Sequence, residues 1–206
     1  SLTITGAAVS VVENAALDLA GATISGTASF NSRNNAITDS GTLAITGATT
    51  FDSGSAALTL DEAASTFGSL TITGAAVAVV ENAALDLAGA TISGTASFNS
   101  RNNAITDSGT LAVTGATTFD SGSAALTLDE AASTFGSVTI TGAAVSVVEN
   151  AAMELAGATI SGTASFNSRD NAIADTGTLT VTGATTFNSG SANLTLDEAA
   201  STFGSL

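Results

Sequence analysis

The sequence contains no proline, cysteine, histidine, lysine, tryptophan or tyrosine. Without cysteine there are neither disulfides nor thiolate metal sites. Without histidine the commonest general base and metal ligand is missing, and without lysine there is no Schiff-base chemistry. The only cations are Arg33, Arg101 and Arg169, set against 18 Asp and Glu for a formal charge of −15. A field of that sign repels phosphate backbones and anionic lipid, which excludes nucleic-acid binding. Aromatic residues make up 4% of the chain and all are phenylalanine, so the core must be built mainly from small aliphatic side chains. Gly, Ser, Thr, Asn and Asp interrupt every apolar stretch, and no run of about 18 apolar residues exists to span a bilayer. The start of the chain has no initiator Met, basic stretch or apolar signal core.

What is present repeats. Residues 1–68 recur as 69–136 and as 137–204 without insertion or deletion. The first two copies differ only at Ser10/Ala78 and Ile45/Val113, and the third carries mild changes such as Leu17/Met153, Asp18/Glu154 and Asn34/Asp170. The three repeats therefore form one continuous array with no separate linker. Each position does the same job in each copy, which suits a stalk or a repeated surface better than a single catalytic centre. Ser1-Leu2 and Ser205-Leu206 fall at one repeat phase, which predicts a segment of a longer array.

A shorter period lies inside the repeat. Thr-Ile-Thr-Gly ends at Gly6, Thr-Ile-Ser-Gly at Gly26, Ala-Ile-Thr-Gly at Gly47, and the next marker at Gly74. The spacing predicts three turns per repeat, with a surplus segment Asp61 to Gly68 in the third. Leu2 and Ile4 alternate with Thr3 and Thr5, Leu17 and Leu19 flank Asp18, and Leu58 and Leu60 flank Thr59. Period-two alternation rich in β-branched residues, punctuated by Gly, Asn, Asp and Ser, is a strand signal. The same glycines would cost a helix roughly 1 kcal/mol each. The first turn reads as strands Leu2–Thr5, Ala8–Val12 and Ala16–Leu19. Stacked turns of this kind make an all-β solenoid of about nine turns. Unequal turn lengths exclude the hexapeptide left-handed form and predict a right-handed parallel β-helix, about 43 Å long at roughly 14 Å per repeat.

Aligning the turns on their glycine markers stacks Ile4 with Ile24 and Ile45, and Leu17 with Ile37 and Leu58, as core ladders. Phe30 and Phe51 fall in register, with Phe67 closing the third turn. Glu13 aligns with Arg33, which predicts an inter-turn ion pair contributing at most about 1 kcal/mol; the same arginine offers a grip for a carboxylate or sulfate. Asn14 and Asn34 adjoin that corner as a short amide ladder. The scatter of acids among the columns leaves no acid directly above another, an arrangement that favours solubility and blocks edge pairing.

Two candidate functional features follow. Asp61 and Glu62 sit together in the surplus segment, where they read as solvated loop charge, a calcium site or an acid–base pair. No other cofactor is expected. Thr3, Thr5, Thr23, Ser25 and Thr46 predict a hydroxyl-lined face at strand spacing, suited either to exposed β-structure or to binding ice or carbohydrate. The sequon Asn193-Leu194-Thr195 occurs in the third copy alone.

The stretches Leu-Thr-Ile-Thr-Gly-Ala, Ile-Thr-Asp-Ser-Gly-Thr-Leu-Ala-Ile-Thr-Gly-Ala-Thr-Thr-Phe and Leu-Thr-Leu-Asp-Glu-Ala-Ala-Ser-Thr-Phe-Gly resemble the repeat tracts of filamentous-haemagglutinin-like bacterial adhesins. That resemblance spans nearly the whole chain and implies a right-handed β-helix in a large exported surface protein, often secreted through a partner outer-membrane pore. The expected role is structural rather than enzymatic: the rod of an extracellular adhesin or surface filament, as in a biofilm. Its partners are expected to be further repeats of the same chain or end-to-end copies, with the host or matrix ligand left open.

Overall fold

The structure, a computed structural model, describes every residue from 1 to 206. Alternation decides the local conformation. Along Leu17–Ile24 the side chains of Leu17, Leu19, Ala22 and Ile24 are buried, and the alternation slips by one at Ala20–Gly21, where the strand turns a corner. The first repeat folds as β1 (Leu2–Gly6), β2 (Val9–Val12), β3 (Leu17–Ile24), β4 (Ala28–Asn31), β5 (Ile37–Asp39), β6 (Leu43–Asp52) and β7 (Leu58–Leu60), and β8 (Thr66–Gly74) crosses into the second. The whole chain has 22 strands in one parallel sheet wound into a coil, with no helix. It is a β-solenoid of stacked turns around a single apolar cluster of 43 buried residues.

The long strands serve two faces each. β3 pairs with β5 through Leu17–Leu19 and with β6 through Ala22–Ile24. β6 pairs with β3 through Leu43–Ile45 and with β4 through Thr49–Asp52, and β8 lies on both arms of β6. Counting arms, a repeat contains ten strand segments distributed over three faces. It therefore makes three and one-third turns, and three repeats make ten. At about 4.8 Å per tier the rod is about 48 Å long, roughly 16 Å per repeat.

This corrects the expected nine turns, three per repeat. The segment Asp61–Gly68 is not a loop hung on a third turn. Its Thr66 and Phe67 pair with Ala44 and Ile45 as a tenth strand arm, which pushes the next repeat one face along. Leu17 stacks on Ile37, Leu58, Val77, Ala96 and Thr117. Its counterpart Leu85 begins another column through Ile105, Leu126 and Val145, and Met153 a third through Ile173 and Leu194. Equivalent residues of successive repeats thus face directions a third of a turn apart.

The first turn is also shorter than the markers imply. Leu2 pairs with Leu19 but Thr3 with Gly21, leaving Ala20 unpaired in a bulge that Gly21 permits with φ of 155°. Ile4 consequently lies against Ala22, and Gly6 against Ile24; only the Ile24–Ile45 step of that expected ladder exists. The Leu17–Ile37–Leu58 ladder is present as expected. Phe30 and Phe51 stack with centroids 5.2 Å apart at 14°, and Phe67 meets Phe51 edge-on at 5.9 Å. Such contacts add about 0.5–1.5 kcal/mol beyond area burial.

Candidate functional site

Outward-facing positions form the first candidate surface. All five expected hydroxyl residues are exposed, but the register joins only two of them. Thr5 pairs with Thr23, and that column continues through Ala44 to Thr66. Thr3 lies against Gly21. Ser25 donates its backbone N–H to Gly6 O beyond the end of β3, and Thr46 falls in the register break between Ile45 and Ala48. Longer hydroxyl ladders run elsewhere: Ser10–Ser29–Thr50–Thr71 on one face, Ser97–Thr118–Thr139 on the second and Thr106–Thr127–Ser146–Ser165–Thr186 on the third. Beside each ladder lies a shallow groove of small side chains, about 410, 440 and 460 Å³ in volume. These ladders are invisible until the one-third-turn advance is known.

A polar corner is the second candidate. The turn after β4 carries two non-glycine residues in the left-handed region, Arg33 at φ 51° and Asn34 at φ 67°. Local hydrogen bonds hold them there: the Arg33 N–H donates to Asn31 Oδ1, and the Ser55 N–H of the next tier donates to Asn34 Oδ1. Asn31 Nδ2 donates to Asp52 Oδ2 at 2.6 Å. In the second repeat this corner lines a groove of about 480 Å³ with Asp61, Asn82, Asn99, Arg101, Asn102 and Asp120; in the third, an equivalent groove of about 610 Å³ contains Asp129, Arg169, Asp170 and Asn188. Two exchanges between these copies offset each other, since Asn102 becomes Asp170 while Asp120 becomes Asn188. Each groove keeps one arginine and two aspartates.

The expected Arg33–Glu13 pair is absent from this corner. Glu13 bonds the Asn14 backbone N–H instead, because the local step is shorter than the marker spacing and sets Glu13 beside Asn31, to whose carbonyl it donates its N–H. Asn14 and Asn34 form no amide ladder: the Asn14 N–H donates to Glu13 Oε1, and Asn34 Oδ1 accepts the Ser55 N–H.

Asp61 and Glu62 are held from below. Their backbone N–H groups donate to the Asp39 carboxylate at 2.8 and 3.4 Å. Burial raises the Asp39 pKa, the two amides oppose that rise, and the nearby Asp61 and Glu62 charges add to it. Asp107 repeats the arrangement under Asp129 and Glu130. The Asp61–Glu62 pair belongs to no cluster of three or more carboxylates positioned to hold a metal ion.

Sequence reasoning missed the buried acids. Glu81 is fully buried; its Oε1 accepts the Phe67 N–H at 2.6 Å while its Oε2 has no partner. Burial pushes its pKa up to about 7, with Asp86 adding to the rise. Glu149 accepts from Phe135 at 2.7 Å and is likewise pushed up to about 7 by burial. The signal in the sequence was positional: Glu13, Glu81 and Glu149 share one phase, but only the latter two have a tier beneath them.

Successive stretches of the chain, residues 6–74, 73–141 and 142–206, match the family described as Repeats of unknown function (DUF5649). The chain belongs to this family. No curated protein and no solved structure matches it. The matched stretches begin near Gly6, Gly74 and Gly142, equivalent positions that successive repeats set a third of a turn apart. Each repeat of this chain thus comprises ten strand arms, one arginine corner, one Asp-capped Asp-Glu turn and one glutamate that is buried when another tier lies beneath.

Proposed function

We propose that this chain is a structural rod, the stalk of an extracellular adhesin or surface filament built from tandem β-solenoid repeats. The observation that carries the reading is the unbroken core passing through all three repeats with identical junctions between them. Leu58 meets Val77 at the first junction as Leu126 meets Val145 at the second. A column of this kind lengthens by adding repeats, and its stiffness comes from continuous backbone ladders rather than from one specialised region. The acidic exterior keeps neighbouring rods apart. Its ends are covered by further repeats of the same polypeptide or by other copies stacked end to end.

Antibody against these 206 residues, applied to intact source cells, is expected to label thin extended fibres at the surface. Labelling that requires permeabilised cells would overturn the reading.

The hydroxyl ladders favour a second reading, a solenoid that binds ice or carbohydrate along its faces. Because the ladders lie on three faces, such a rod would bind around its circumference rather than along one plane. Thermal hysteresis or polysaccharide retention that falls on Thr118→Val and Thr139→Val replacement supports that reading, and neither signal is expected of a pure stalk.

A further inference from the structure

The arginine grooves of the second and third repeats each cross four successive tiers of the coil. In the second repeat Asn99 is paired with Val80 on one side and Asp120 on the other, and Asp61 follows Leu60, the partner of Val79. Four tiers make the groove about 14 Å long. Its volume, about 480 Å³ here and about 610 Å³ in the third repeat, is that of a small-ligand site. It shares no residue with the hydroxyl ladders.

Part of its polar inventory fixes the side chains and the rest is free. Asn99 Nδ2 donates to Asp120 Oδ2 at 2.9 Å, and Asn99 Oδ1 accepts the Arg101 N–H. Asp120 Oδ1 accepts the Gly122 N–H, and Asn102 Oδ1 the Ser123 N–H. Asn99, Asn102 and Asp120 are therefore held in place before any ligand arrives. Arg101, Asn82 and Asp61 hydrogen-bond through their backbone alone, and Asn102 through Oδ1. That leaves the guanidinium, the Asn102 Nδ2, the Asn82 amide and the Asp61 carboxylate open. Acceptors stand at both ends of the groove with donors between them, a row that suits hydroxyl groups, each of which donates one hydrogen bond and accepts others.

Two further observations indicate that these side chains are kept for a ligand. Arg101 holds φ 51°, whereas Gly122, two residues past the Asp120 that pairs with Asn99, fills the same place one tier on at φ 56°. The turn accepts glycine, yet all three copies carry arginine there at a cost in backbone strain. In the third repeat the Asn102/Asp170 and Asp120/Asn188 exchanges leave the scaffold bonds in place, since Asp170 Oδ1 accepts the Ser191 N–H and Asn188 Oδ1 the Gly190 N–H. Either residue serves the fold at either position. The paired exchange preserves the number of carboxylates.

We propose that each complete arginine groove binds a short stretch of a saccharide chain that carries no acidic groups. Arg101, Asn82 and Asn102 donate to sugar oxygens, Asp61 and Asp120 accept from sugar hydroxyls or amines, and Val80 and Ala63 meet the C–H face. Two carboxylates against one guanidinium, within a chain of charge −15, repel polyuronates and sulfated glycans. The two grooves lie about 16 Å apart along the axis and a third of a turn apart around it, so one rod holds separate glycan chains rather than lying flat along one. This goes beyond the rod reading and does not depend on it.

Isothermal titration of the 206-residue chain with cellohexaose, hexaglucosamine and hexagalacturonate tests the proposal. Two sites per chain are expected for cellohexaose, hexaglucosamine or both, and none for hexagalacturonate; the corner at Arg33 has no Asp-Glu turn beneath it among these residues and is not counted. Arg101→Gly and Arg169→Gly are each expected to remove one site without lowering the thermal midpoint, and together to abolish binding. With Arg169→Gly leaving a single site, Asp120→Asn is expected to weaken it roughly tenfold, and adding Asn102→Asp to restore it. That rescue distinguishes ligand contact from a purely structural role. No binding of either non-acidic probe, equal binding of hexagalacturonate, stoichiometry indifferent to the arginines, or failure of the rescue would overturn the proposal and leave the rod reading intact.

Discussion

Stability should fall as pH rises through neutrality, because two fully buried carboxyls must lose their protons inside the fold. Glu81 and Glu149 move from an ordinary 4.5 to about 7 on folding. The folded chain therefore holds protons that the unfolded chain has released between those values. Stabilisation is fully present below pH 4.5 and is lost as pH rises through 7. Between pH 5 and pH 8 each site weakens the fold by about 2–3 kcal/mol, and the pair by about 5 kcal/mol. With a urea dependence of about 2 kcal/mol/M, the denaturation midpoint should drop by roughly 2–3 M over that range. Burial raises Asp39 and Asp107 in the same direction, and self-repulsion of the −15 chain adds to the trend. The double replacement Glu81→Gln and Glu149→Gln isolates the glutamate share and should flatten most of the slope. A midpoint that stays level or rises from pH 5 to pH 8, or a double variant that keeps the full slope, would refute the reasoning.

Other replacements probe separate parts of the structure. Phe98, fully buried against Phe119, should cost about 3–5 kcal/mol when changed to Ala, read from urea denaturation. Gly115→Ala places a Cβ 2.6 Å from Gly94 O and 2.7 Å from Gly94 C, so the stacked corner must shift at a cost of about 1–3 kcal/mol, seen as a lowered thermal midpoint. Arg101→Gly relieves a left-handed residue at φ 51° and should raise the midpoint, by roughly 1 kcal/mol. A lowered midpoint would mean that the guanidinium contributes more than the strain it imposes.

The strands and the coil were legible because alternation is a local property. Leu17–Asp18–Leu19 reads the same whatever lies above it. Pairing along the rod was legible only where the intervening loop keeps a constant length, as from Leu17 to Ile37 and on to Leu58, or from Phe30 to Phe51. It failed at the bulges. The first turn is two residues shorter than the marker spacing, so Ile4 lies against Ala22 and not Ile24. The pairing of Thr66 and Phe67 turns a supposed loop into a strand arm, and this small feature moves every later repeat by a face. The expected hydroxyl surface was lost with that register, since Thr3, Ser25 and Thr46 each sit at a corner or break. The buried glutamates were hidden because Glu13, read in the first copy, is exposed. Its burial in later copies is a property of the junction, which no single repeat contains.

The advance of three and one-third turns per repeat is tested most directly by cross-linking. The chain has no cysteine, so an introduced pair supplies the only thiols. Thr118 and Thr139 are paired outward positions on adjacent tiers, and a spacing of about 4.8 Å lies within disulfide reach. Thr118→Cys with Thr139→Cys is predicted to oxidise rapidly and completely in the monomer, whereas Thr114→Cys with Thr141→Cys, which three whole turns per repeat would bring together, is predicted to remain reduced. Cross-linking of the second pair and not the first would contradict the account.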